Sequence, residues 1–148
     1  MTRVFVDTGI FVAAHDRGDP ERQARAIHVL EALHERHEVV VSSQVLAEVF
    51  AAVTSGVGAP LPASAAADLV ADVSEAATVV SVTQAVVTFA IEVMARHGLD
   101  LWQAQALATA HLEGARVLLT DGPRGGAELD GVRVVNPLTA DFDAKLLE

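Results

Sequence analysis

Short apolar runs rich in β-branched residues alternate with helical patterns along the whole chain, and this alternation limits the folds open to it. Val4-Phe5-Val6, Val39-Val40-Val41, Thr78 to Val82, Val117-Leu118-Leu119 and Val132 to Val135 are the runs. Val4-Phe5-Val6 is apolar at successive positions, so both faces of that strand are expected to be buried, as in a parallel sheet. Between them lie stretches with helical spacing. A short one spans Ile10 to Ala14. The next opens at Asp19-Pro20, a cap followed by proline at the first helical position, and ends near His37. Ser42 or Ser43 caps a third, which stops before Gly56. Others run from Ala63 to Ala76 and from Thr83 to His97, with Gly98 placed to end the latter in a left-handed turn. Asp100, with Gln103 three residues on, opens the last helix in a capping-box pattern, and Gly114 closes it. Strand–helix alternation of this kind predicts an α/β three-layer sandwich with a central, mainly parallel sheet of about five strands and right-handed crossovers. A length of 148 residues suits one domain, residues 1–148. The loop at Gly56 to Pro62, marked by Gly58, Pro60 and Pro62, is too short to be a domain linker.

Composition excludes several function classes. Hydrophobic residues make up 51 %, ample for a packed core. No apolar run reaches the ~18 residues that span a bilayer. Asp7 interrupts the first apolar run, so no signal peptide is expected and a cytoplasmic location is. The chain has no cysteine, which removes disulfide scaffolds, zinc ribbons, thiol nucleophiles and iron–sulfur centres. Twenty acids face ten bases, for a net charge of −10, and Lys145 is the sole lysine. Binding nucleic acid by a basic patch is therefore not expected. An acidic protein can still act on nucleic acid when a bound metal supplies the positive charge.

The acids follow the strands. Asp7 ends the first and Asp121 the fourth, so both belong at the carboxyl edge of a parallel sheet, where sites of such folds form. Glu48 lies about one turn into the helix after the second strand and starts from that edge. Asp100 opens the helix before the fourth strand. Each has a plainer reading. Asp7-Thr8-Gly9 and Asp121-Gly122 read as turns, Glu48 as a solvated helix acid, and Asp100 as a cap alone. The joint pattern carries the argument. Carboxylates converging without lysine partners repel one another unless a divalent cation lies between them. Oxygen ligands suit Mg²⁺ or Mn²⁺, and the matching chemistry is metal-assisted hydrolysis of a phosphodiester. Thr8 and Thr120 flank acids and read either as hydrogen-bond donors to them or as turn hydroxyls. Arg17, Arg22 and Arg124 flank the expected mouth and read either as phosphate contacts or as solvated arginines. The histidines lack HExxH spacing, and Gly122 to Gly126 lacks the Lys-Ser/Thr of a P-loop.

Five ordered segments resemble the PIN domain: Val4 to Thr8, Ser43 to Phe50, Gly98 to Ala104, Leu118 to Asp121, and Leu129 to Leu138. The last is similar to the ending of VapC-type toxins of bacterial toxin–antitoxin pairs. The resemblance covers essentially the whole chain. It implies an Mg²⁺- or Mn²⁺-dependent endoribonuclease that hydrolyses RNA with a metal-activated water, works as a homodimer, and is blocked by a cognate antitoxin. Carried over by position, Asp7 matches the first acid, Glu48 the second and Asp121 the fourth. The third position, after the aromatic Trp102, holds Gln103. Gly122 stands where a second adjacent acid is usual, and Gly9 where Asn or Ser is usual. Asp100 lies three residues before Gln103, on the same helical face, and is a substitute ligand by that spacing. The expected catalytic set is Asp7, Glu48 and Asp121, with Asp7, Glu48, Asp100 and Asp121 as metal ligands. Gln103 and Gly122 favour a second reading, a degenerate PIN domain that binds RNA or protein without cutting. A phosphatase-like hydrolase with Asp7 as nucleophile is a third, weakened because Gly9 stands where its second aspartate belongs.

Overall fold

The computed structural model describes residues 2–56 and 60–148; Gly58, expected in the 56–62 loop, lies outside them. The elements are β1 (Arg3–Val6), α1 (Thr8–Ala14), α2 (Pro20–Arg36), β2 (Glu38–Ser42), α3 (Ser43–Ser55), α4 (Ala63–Ala76), β3 (Thr78–Val80), α5 (Gln84–His97), α6 (Leu101–Leu112), β4 (Val117–Leu119), β5 (Glu128–Leu129) and β6 (Val132–Val135), followed by a 3₁₀ turn at Ala144–Leu147. The sheet order is β3-β2-β1-β4-β6-β5. All neighbours are parallel except β5 and β6.

The chain steps from β1 outward to β2 and β3, then returns past β1 to β4. With right-handed crossovers, α1 to α4 fall on one face and α5 and α6 on the other. Packing agrees: α1 lies against α2 and α3, and α3 against α4, while α5 packs on α6 and α6 on β1, β2, β4 and β6. The strand order therefore reverses between β1 and β4, which is where open α/β sheets form their crevice. The core explains the sequence pattern. Val4, Phe5 and Val6 are fully buried in the central strand. The helix α6 is buried from Ala104 to Ala110, including Gln105 and Thr109, and its alternating alanines let it sit close to the sheet. Gly98 ends α5 at φ 67 and returns its N–H to Met94, as expected of a left-handed helix stop. Ser42, not Ser43, caps α3 by accepting from the Val45 N–H.

Two features depart from the expectation of five strands. β3 is shorter than the apolar run that suggested it, ending at Val80 rather than Val82. β5 is a sixth, two-residue strand antiparallel to β6. It is joined to β6 by Asp130-Gly131, both at positive φ (50 and 77), the backbone a two-residue hairpin requires. Asp130 also fastens this hairpin to the helices. Its carboxylate accepts from Arg96 (2.6 Å) and His97 (2.7 Å), and its carbonyl meets the His111 ring at 2.7 Å. Among the described residues, no helix is long and apolar enough to cross a membrane.

Candidate functional site

Asp7 leaves the end of β1 at the point where the strand order reverses. Its backbone N–H still bonds the Leu119 carbonyl of β4 (2.9 Å), so its position is set by the sheet. Its side chain begins α1: Oδ1 accepts from the Thr8 N–H at 2.8 Å. Oδ2 accepts from the Thr120 hydroxyl at 3.0 Å. Thr8 in turn donates its hydroxyl to Glu48 Oε2 at 2.7 Å. Gln44, one turn earlier on α3, donates to Glu48 Oε1 at 2.8 Å. The buried Gln105 of α6 donates to the Gln44 side-chain oxygen. A continuous chain of hydrogen bonds thus runs from α6 through Gln44, Glu48 and Thr8 to the start of α1.

Asp121, two residues beyond β4, approaches the same place from the other side of the crevice. Its carboxylate lies against Gly9: a Cβ there would stand 2.1 Å from Oδ1 and 2.5 Å from Oδ2. Asp121 Oδ2 also accepts from Arg22 Nη2 of α2 at 2.6 Å. Asp7, Glu48 and Asp121 are close enough to influence each other's charge. The Asp7 carboxyl is pushed above the usual carboxylate range, chiefly by burial. Repulsion from Glu48 and Asp121 adds to the rise, and the hydrogen bonds from Thr8 and Thr120 oppose it.

Gln103 shares a narrow cavity of about 20 Å³ with Asp7, Thr120, Gly122, Pro123 and Arg124. Its Nε2 lies 3.4 Å from the place a Cβ on Gly122 would take. The two positions where the resemblance calls for acids are therefore side by side, and both are neutral. Asp100 does not line this cavity. It is exposed and caps α6, with Oδ1 accepting from the Gln103 N–H at 2.8 Å. Asp100→Asn should change stability by less than ~0.5 kcal/mol and Asp100→Ala should cost about 1 kcal/mol, because Asn caps a helix as well as Asp and Ala does not. Urea melts of the two variants check this.

Among the described residues, no three His, Cys, Asp or Glu side chains are gathered as a ready metal-binding group. The carboxylates are instead held one by one: Asp7 and Glu48 by neutral donors on both oxygens, Asp121 by an arginine. Of the two readings of Thr8 and Thr120, hydroxyls that donate to acids is the one present. Arg22 is not a free phosphate contact: it is paired with Asp121 and about one-third exposed. Gln44 and Gln105 escaped the sequence reading. Their signals were the i, i+4 spacing of Gln44 to Glu48 and a side-chain amide inside the largely apolar run of α6.

A groove of about 450 Å³ adjoins the cavity, sharing Gly122, Pro123 and Arg124 and extending over Arg133, Asn136, Thr139 and Phe142.

Solved structures share this architecture. The chain is 20% identical to a protein of a toxin–antitoxin complex from Klebsiella pneumoniae, covering 90% of this chain and 97% of that one, with a TM-score of 0.67. It is 15% identical to a chain of VapBC2 from Rickettsia felis, crystallised on a DNA fragment from its promoter, covering 90% and 97% with a TM-score of 0.66. It is 24% identical to Mycobacterium tuberculosis VapC20, described as a sarcin–ricin loop cleaving toxin, covering 78% and 86% with a TM-score of 0.64. No curated protein matches the chain in sequence. The family model for the PIN domain matches residues 4–125, from the first strand through the Asp121 turn and its glycines, so the chain belongs to the PIN domain family.

Proposed function

We propose that this protein is a divalent-cation-dependent endoribonuclease acting as the toxin of a toxin–antitoxin pair. The observation that carries the reading is the placement of Asp7, Glu48 and Asp121 at the strand-order reversal, with Thr8 bonded to both Asp7 and Glu48 and the Asp121 carboxylate lying against the neighbouring Gly9. The donor set fits a hard dication: three carboxylates, the Gln103 amide oxygen and threonine hydroxyls, with neither sulfur nor imidazole. That a cationic side chain, Arg22, is already drawn onto Asp121 supports the same fit. Asp7, Glu48 and Asp121 would hold the ion; Mg²⁺ and Mn²⁺ are the species tested first. When bound there, such an ion supplies an activated water at neutral pH and offsets charge developing on a phosphate.

The chain's own residues do the rest. Thr8 and Thr120 hold the Asp7 carboxylate from two sides. Gln44 and Thr8 fix Glu48, so the two acids keep a set separation. Gln103 offers a neutral oxygen where a charged one is usual, which lowers the charge available to the ion. The adjoining groove, with Arg124 and Arg133 beside Phe142, gives phosphate and base surfaces for an RNA strand. Complexes among the structural relatives support a cognate antitoxin as partner. Ile91 on α5 and Trp102 on α6, 57% and 60% exposed, are apolar surface that a second copy of the chain would cover in a homodimer.

Purified protein incubated with structured RNA and Mn²⁺ tests the reading, with chelator as control. Gln103→Asp should strengthen Mn²⁺ binding by on the order of ten-fold and increase cleavage, because ligand charge sets affinity in oxygen-only sites. The neutral pair Gln103 and Gly122 favours one alternative, a binding module without nuclease activity. RNA retained on the protein but uncut with every divalent metal, in wild type and Gln103→Asp alike, selects it.

A further inference from the structure

Resting on the cation-dependent reading above, we propose that Arg22 is an internal competitor for the cation: it holds Asp121 in a closed arrangement that an incoming ion must open. Three observations carry this. Of the three carboxylates, Asp7 and Glu48 are held by neutral donors, whereas Asp121 alone is held by a charged group, at 2.6 Å. The Arg22 backbone is anchored beside the site, since it sits in the first turn of α2 and its N–H bonds the Asp19 cap at 3.2 Å. The Asp121 carboxylate lies over the first turn of α1 in space that exists because residue 9 is glycine; a Cβ there would lie 2.1 to 2.5 Å from its atoms. Charge and shape together keep Asp121 turned toward Arg22.

The latch is light. Both side chains are about one-third exposed (37% and 34%), so water competes for the pair and an ion can displace it. Displacing the arginine weakens the ion's apparent affinity, since binding must first break an existing contact. Arg22 thereby sets the cation concentration at which the site assembles.

Mn²⁺ alone, titrated calorimetrically into the full-length protein without RNA, tests this independently of turnover. Arg22→Gln should tighten Mn²⁺ binding about two- to five-fold, the upper part of what a partly exposed ion pair contributes. Removing a nearby positive charge would tighten binding even without a latch, so a second variant keeps both charges. Gly9→Ala displaces the Asp121 carboxylate from α1 and should tighten binding similarly. Combining the two should add little, because both release the same contact. Unchanged or weaker binding in Arg22→Gln overturns the proposal. So does Gly9→Ala without effect, or full additivity in the double variant, either of which reduces Arg22 to a distant charge. If Asp7→Asn abolishes the binding while Arg22→Gln leaves it unchanged, this inference alone falls. If no variant binds Mn²⁺ at all, the cation-dependent reading falls with it.

Discussion

Asp7→Asn should reduce RNA cleavage at least ~100-fold and, at pH 7, raise the melting temperature. On the proposed function, the loss follows from removing the acid through which the sheet would hold the ion. Disturbing residues that merely support a ligand costs about 10- to 100-fold, and losing a ligand costs more. The gain in stability follows from the same burial. Asn retains the cap on α1, because its side-chain oxygen can accept from Thr8, and its amide can donate to Thr120. It also removes a carboxylate whose ionised form the fold disfavours. Since the folded Asp7 carboxyl titrates above its ordinary value of 3.8, the fold prefers the protonated form. Its favourable contribution is complete below the unfolded value and is lost as pH rises through the higher folded one. At pH 7 the wild type therefore bears the full cost of the ionised group and the variant does not. Melting curves at pH 7 and near pH 3.8 check the sign: the advantage of Asp7→Asn should shrink on acidification. An equal difference at both values would mean that Asp7 is not destabilised by its burial.

β1, β2 and β4 were readable because each carries a run of apolar residues at successive positions, buried on both faces, whereas β3 is largely exposed and β6 carries an exposed Arg133. Asp7, Glu48 and Asp121 were readable as a set because acids following strands share the carboxyl edge of a parallel sheet, whatever the strand order. Asp100 shows the limit of that reasoning. A helical spacing of three places it one turn from Gln103, yet the cap directs its carboxylate to the backbone N–H of Gln103. The antiparallel β5 was missed because two residues carry no periodicity, although Asp130-Gly131 is a hairpin signal. The pairing of Arg22 with Asp121 joins residues 99 positions apart, and no local pattern encodes it. The significance of Gly9 was equally hidden: an absent side chain matters here only because a distant carboxylate fills its space.

Phe5→Ala should destabilise the fold by about 3–5 kcal/mol, lowering the melting temperature by roughly 10 °C in a domain of this size. Phe5 is fully buried in the central strand, paired in register with Val40 of β2 and Leu118 of β4. Strands on both sides are themselves packed under helices, so little can collapse into the vacated space. Thermal melts by circular dichroism check it; a loss below ~2 kcal/mol would show that the helical layers close over the gap. The effect on the site should be indirect but large near the transition, because Asp7 is carried by the same strand.

The sheet ends on both sides in strands too short to recruit another chain. β3 has three residues and β5 has two. An intruding strand gains main-chain hydrogen bonds only along the length offered, and two or three rungs do not repay the ordering of a foreign segment. The hairpin behind β5 is further tied by Asp130 to Arg96 and His97, which opposes its peeling back to lengthen that margin. A domain with this many valines in strand positions would be expected to aggregate through its edges if those edges were long. Here the edges offer only two or three rungs of backbone, and the most exposed large apolar side chains, Ile91 and Trp102, lie on helices.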